Sequence, residues 1–240
     1  MNEKRFWEID LARGAAVFLM VFFHCLFDLL FFRGINVVPQ AMFWFWFPRL
    51  IASVFIFVSG MCLTFSHKRH RQRAPFTKFL KRGAKIFSLG LLITAFTILF
   101  FPSEPILFGI LHLIGISSVL AYPILGFKKL NAVLGACLLI IGAFMHGLTA
   151  HAPFLFWPGL SPSGHPALDY FPLIPWFGIV LFGVSAGNCL YPGRKRFAAI
   201  PDLSGNRLLR PFFFLGRHSL IIYFLHQPIL VGLLFIVFGL

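Results

Sequence analysis

From Ile9 to Phe32 the chain reads IDLARGAAVFLMVFFHCLFDLLFF, an apolar run long enough to cross a bilayer, interrupted by Asp10, Arg13, His24 and Asp28. Such a stretch has few ways to fold. Away from water its backbone must satisfy its own hydrogen bonds, which makes it a helix. At about 3.6 residues per turn, Asp28 lies back over Asp10, with Arg13 and His24 displaced by only about 40–60°. The helix then carries one narrow polar stripe on a cylinder of Phe, Leu, Val, Ala and Met. Ionisable groups inside a membrane span are costly, and by default they mark a bundle interior with a function.

Composition extends this reading to the whole chain. Of 240 residues 59% are hydrophobic, with 34 Phe against 7 acidic residues, and the mean hydropathy is +0.87. That excludes a soluble domain and predicts an all-α, polytopic transmembrane bundle forming a single domain over residues 1–240. About seven spans are expected, near 12–32, 43–66, 83–101, 106–126, 130–149, 171–191 and 212–238. The first run has no small-residue cleavage site and is expected to be a retained helix.

The formal charge of +14 does not point to nucleic acid. Nineteen of the 21 Lys and Arg fall in four stretches that alternate with apolar runs: Lys4, Arg5 and Arg13; eight between Lys68 and Lys85; Lys128 and Lys129; and six from Arg194 to Arg217. Only Arg33 and Arg49 fall outside them. This is the positive-inside pattern, and it places the N-terminus in the cytoplasm and the C-terminus outside, in a multi-pass protein of the plasma membrane. Trp44, Trp46 and Trp157 fit the outer aromatic belt, and the loop 150–170 is expected to cap the outer rim. Cys25, Cys62, Cys137 and Cys189 all sit within spans and read as packed thiols.

Several intramembrane polar groups are candidates for chemistry. Asp28 and Arg49 fall at matching depth, which predicts an ion pair. His24 is one turn from Asp28 at the i, i+4 spacing, where a carboxylate fixes an imidazole tautomer and raises its basicity, as a general base requires. His112 lies between Gly109 and Gly115, either bonded across a tight helix contact or beside a ligand. Pro172 and Pro175 loosen the start of the sixth span, which carries Trp176, towards a cavity rim. In the last span Ser219, Tyr223 and His226 share a face, with Arg217 and His218 at its cytoplasmic mouth. The group His146, His151, His165 and Asp169 matches no zinc spacing, and no metal is expected. There is no Walker, CxxC or dinucleotide motif.

Five segments, IDLARGAAVFLMVFFHCLFDL, PRLIASVFIFVSGMCLTFS, FGILHLIGISSVLAYPIL, DYFPLIPWFGIVLFGVSAG and LGRHSLIIYFLHQPIL, occur in this order. Together they resemble the catalytic-domain family of heparan-alpha-glucosaminide N-acetyltransferase in a short prokaryotic form. The resemblance covers nearly the whole chain and implies acyl transfer across the membrane. Acetyl-CoA or another acyl-CoA would load from the cytoplasm, where Asp10, Arg13, Arg217 and His218 would meet it. A glycan or other small acceptor would take the acyl group at the outer face, held by Arg49, His112, Trp176, Tyr223 and His226. The family's eukaryotic acetyltransferase carries its proposed catalytic histidine in the connection after the first helix. Here that connection, RGINVVPQAM, has no His, so His24 with Asp28 is the catalytic candidate. The expected partners are the lipid bilayer, acyl-CoA and the acceptor, without nucleic acid; a homodimer is left open. The competing classes are a small-molecule transporter or flippase, whose inverted repeat is not found, and a non-catalytic membrane partner.

Overall fold

The computed structural model describes residues 6–33, 42–68, 75–100, 102, 105–145, 149–150, 157–159, 161–162, 169–197 and 199–238. The connection after the first helix, part of the Lys68–Lys85 basic run, His146, His151, His165 and most of the outer loop lie outside them. The helices are α1 (Trp7–Phe32), α2 (Met42–Lys68), α3 (Phe76–Phe100), α4 (Ile110–Leu120), α5 (Lys128–Met145), α6 (Leu173–Leu190), α7 (Arg210–Arg217) and α8 (Ser219–Phe238). Six of these, all except α4 and α7, are long and apolar enough to cross a membrane. Thr149–Ala150 and Ser161–Pro162 form a two-residue parallel pairing. The chain divides into two compact units, residues 1–55 with 200–240 and residues 56–199.

In the first unit the expected last span divides. Gly14 of α1 meets the Phe212 backbone, and Gly216 meets the backbone of Asp10, so α7 runs antiparallel to α1. A β-carbon at either glycine would overlap the facing carbonyl oxygen, so only glycine lets the two backbones come this close. The chain turns at His218, whose carbonyl accepts from Ile222 N–H at 3.0 Å. Helix α8 then runs back along α1. His24 faces His226, Asp28 bonds Gln227, and the Arg33 guanidinium lies 5.4 Å from the Phe238 ring centroid. The two helices are therefore parallel, and Ala16, Met20, Phe23 and Ile51 form the core of this unit.

The second unit resolves the fourth span. Helix α4 has 11 residues, about 16 Å of rise, too short to cross alone. Its flanks complete the crossing. Ile106 bonds Thr97, His112 lies against Gly90, Gly115 against Gly83, and Tyr122 against Phe76. The segment from 106 to 122 thus runs antiparallel along α3 from 97 back to 76, about 31 Å of helix, which is a bilayer core.

Non-helical backbone at that depth must be satisfied from within the protein. Thr94 Oγ1 donates to the Ile106 carbonyl (2.6 Å), Thr97 Oγ1 accepts from Ile106 N–H (3.0 Å), and Phe171 N–H donates to the Phe108 carbonyl (2.9 Å). After α4, Asn131 and Asn188 donate to the turn carbonyls of Ile124 (2.7 Å) and Leu125 (2.8 Å).

Helix directions support seven crossings. Gly60 of α2 meets Gly183 of α6, and Met61 and Thr64 meet Gly187, so these two helices are parallel. Parallel helices start from the same face, which requires an odd number of crossings between α2 and α6. Helices α3 and α5 supply two, and the α4 segment supplies the third. The parallel pair α1 and α8 imposes the same parity on the whole chain.

Candidate active site

The first unit holds the strongest concentration of unusual polar groups. Asp28 is 5% exposed within a transmembrane helix. Its carboxylate does not pair with Arg49, as the matching depths predict. Both oxygens accept instead from Gln227 Nε2, each at 3.1 Å. Among the described residues no cationic side chain offsets this carboxylate. Arg49 is exposed on α2 and is held by its own helix, donating Nη1–H to the Phe45 carbonyl at 2.7 Å with its guanidinium 3.7 Å from the Phe45 ring centroid. Pro48 lies within the same turns.

The expected His24–Asp28 hydrogen bond is likewise absent, because Gln227 takes the carboxylate. His24 stands edge-on to Phe23, and its ring centroid is 4.9 Å from that of His226. His226 Nδ1 lies 2.7 Å from the Tyr223 carbonyl, and its Nε2 is buried without a partner among the described residues, as is Gln227 Oε1. Tyr223 packs on the Ala16–Met20–Phe23–Ile51 core with its ring centroid 5.7 Å from that of His226. Carboxylate, amide and two imidazoles thus meet between α1 and α8. A neutral imidazole with an open nitrogen beside a buried carboxylate can accept a proton from a nucleophile.

Gln227 is the residue that sequence reasoning missed. It follows His226 directly, but a neutral amide carries no charge signal of the kind that marks ionisable groups within a span. A polar residue before Pro228, in a helix otherwise apolar on that side, was the available sign.

The other predicted residues separate from this cluster. His112 is 2% exposed, and both its nitrogens are engaged: Nδ1 accepts from Gly109 N–H (3.2 Å), and Nε2 lies 3.4 Å from Thr94 Oγ1. Its ring fills the notch left by Gly90, stacked on Phe108 and edge-on to Phe87. That makes it the cap of α4, with no nitrogen left over for an acceptor. Trp176 is half-buried, edge-on to Phe171 at the start of α6. There Ile174 departs from helical geometry (φ −101°, ψ 124°), as the two prolines predict. The turn at 157–159 satisfies this break, since Leu173 and Ile174 N–H donate to the carbonyls of Trp157 and Pro158. Gly159 in that turn has φ +143°. Burial pushes the nearby Tyr170 hydroxyl up to about 12, so at neutral pH it is a donor and not a base.

At the start of α1, Asp10 accepts from Arg217 Nε at 3.3 Å; the Arg217 side chain is 49% exposed. Arg13 is half-buried. His218 is exposed, with Nδ1 2.9 Å from the Phe214 carbonyl. Arg207 and Arg210 are also exposed, so this short segment presents three guanidiniums. No group of three His, Cys, Asp or Glu among the described residues is arranged to hold a metal.

Fold and site together define a polytopic helical membrane protein with a carboxylate–amide–imidazole cluster between its first and last helices. The sequence model of the family described as "Heparan-alpha-glucosaminide N-acetyltransferase, catalytic" matches residues 5–228, and the chain belongs to that family, one of membrane acetyltransferases. No curated relative and no solved structure matches the chain.

Proposed function

We propose that this chain, acting as one domain, transfers an acetyl group from cytoplasmic acetyl-CoA to a sugar or similar small acceptor at the outer face of the plasma membrane. The observation that carries the reading is Asp28. A carboxylate held inside a transmembrane helix with no cationic partner among the described residues, beside two imidazoles, is costly, and function is the ordinary reason to keep it.

Acyl transfer from a thioester needs an activated donor, a nucleophile and a place for the nucleophile's proton. Acetyl-CoA supplies the activated acetyl group. Its phosphates are polyanionic, and the exposed guanidiniums of Arg207, Arg210 and Arg217, with His218 beside them, suit them. Asp10 holds Arg217 on one side, and Arg13 adds a further cation on the same helix. On this reading the His24–His226 pair takes the proton, and Asp28 with Gln227 holds the acceptor. Tyr223 lines the same region, whereas Arg49 and Trp176 remain candidates for contacting the acceptor or the emerging product.

The test uses purified protein in nanodiscs with acetyl-CoA and a panel of hexosamines, simple amines and polyols, following release of the CoA thiol. Acceptor-dependent release is expected, together with its loss in the His24→Ala/His226→Ala double variant and in Asp28→Asn. Saturable CoA binding without release for any acceptor would contradict the reading. So would full activity in the double variant.

A further inference from the structure

We propose that His226 is the residue that accepts the proton during transfer, and that Gln227 positions the acceptor's nucleophile, leaving His24 as a flanking ring. This rests on the acetyl-transfer reading above and divides the labour within its cluster.

The assignment follows from which atoms are already committed. A carbonyl oxygen can only accept, so the 2.7 Å contact between His226 Nδ1 and the Tyr223 carbonyl places the hydrogen on Nδ1. Nε2 then presents a lone pair, and it is buried with no hydrogen-bond partner among the described residues. Gln227 repeats the arrangement. A carboxylate accepts, so the amide end facing Asp28 is the NH2 group, 3.1 Å from each oxygen. The carbonyl end, Oε1, is likewise buried and unpartnered.

Two adjacent residues of α8 therefore each commit a donor to a fixed partner and keep an acceptor open. Buried polar atoms without partners are uncommon, and each calls for an explanation. Because both are acceptors, the complementary group brings N–H or O–H hydrogens, as an amine or hydroxyl nucleophile does. His24 has no such definition: among the described residues no hydrogen bond sets its tautomer, and its ring contacts those of Phe23 and His226.

In the step itself the acceptor's nitrogen or oxygen attacks the thioester carbonyl carbon. The new N–C or O–C bond forms and the C–S bond breaks. The acceptor's hydrogen passes to His226 Nε2 and then to the departing sulfur, which leaves as the CoA thiol. Nothing is oxidised or reduced, and His226 returns to its starting tautomer.

The experiment measures initial rates for single variants in nanodiscs, using the acceptor that gives the fastest thiol release. His226→Gln is expected to lower kcat by about 10²–10⁴-fold, the range of a lost general base, with the KM for acetyl-CoA little changed. His226→Ala is expected to recover part of its rate with added imidazole. His24→Gln is expected to lose less than about tenfold. Gln227→Leu is expected to raise the KM for the acceptor by about tenfold, the equivalent of one lost hydrogen bond, without moving the KM for acetyl-CoA.

A larger loss in His24→Gln than in His226→Gln overturns the assignment of the base. An unchanged acceptor KM in Gln227→Leu overturns the positioning role. Should His226→Gln fail to fold, imidazole rescue of His226→Ala decides the base: rescue supports His226, and its absence in a folded protein overturns it. A wild-type protein that binds acetyl-CoA yet transfers nothing would overturn the acetyl-transfer reading itself, and this assignment with it.

Discussion

Replacing His112 by Ala separates a cap from a ligand contact. The imidazole is 2% exposed and wedged between Phe87, Phe108 and Gly90, and it accepts the Gly109 N–H at 3.2 Å. Truncation leaves a cavity the size of a ring, and filled-ring-to-Ala changes in cores cost about 3–5 kcal/mol. It also orphans a buried N–H in the irregular lead-in to α4, which costs about 1–3 kcal/mol where water cannot enter. Local collapse recovers part of this, so a loss of about 3 kcal/mol is the conservative expectation. For a chain of this size, that lowers the thermal midpoint by about 6–12 °C. The measurement is thermal unfolding in detergent followed by intrinsic fluorescence. His112→Asn restores an acceptor where Nδ1 sat, and it should recover about 1 kcal/mol of the loss. A His112→Ala midpoint within about 2 °C of wild type, combined with a raised acceptor KM, would refute this reasoning and make His112 a ligand contact.

Other expectations follow from the same packing and bonding. Gly14→Leu drives a side chain into the Phe212 backbone, which cannot give way cheaply. It should destabilise by at least about 2 kcal/mol, visible as a lower midpoint and lower yield in membranes. The Arg217 side of the Asp10–Arg217 pair is half-exposed, so a double-mutant cycle should return under about 1 kcal/mol of coupling. Arg217→Gln should instead raise the KM for acetyl-CoA severalfold, by an amount that shrinks with added salt. On a cysteine-free background, Pro105→Cys and Gly126→Cys flank the α4 segment and should label from opposite faces of the membrane; labelling from one face would remove the seventh crossing.

Much of the fold was legible because membrane spans are governed by length and apolarity, which a sequence displays directly. The apolar runs near α1, α2, α3, α5 and α6 became helices. The two departures share one cause. Residues 106–126 and 212–238 are apolar over most of their length, so hydropathy reads each as one uniform span. It does not register where the backbone leaves helical geometry. The lead-in at 105–109 exists because Thr94, Thr97 and His112 satisfy it from neighbouring turns, a tertiary fact. The division at His218 depends on Gly14 and Gly216 letting α7 fold back onto α1.

The site was legible in part for a similar reason. Helical spacing correctly set His24 and Asp28 one turn apart, but spacing alone cannot say which neighbour wins a carboxylate. Gln227 reached it from α8, and Arg49 turned to Phe45 of its own helix. His226 gained importance only once the Tyr223 carbonyl fixed its tautomer.

The central claim is that acetyl groups cross from acetyl-CoA to an acceptor through the α1–α8 cluster. The most direct measurement reconstitutes the protein in liposomes with acceptor trapped inside and radiolabelled acetyl-CoA outside, then counts labelled acceptor in the lumen. Labelled product is predicted for the wild type, with a loss of about 10²-fold or more in Asp28→Asn and His226→Gln. Equal labelling in wild type and both variants would contradict the account.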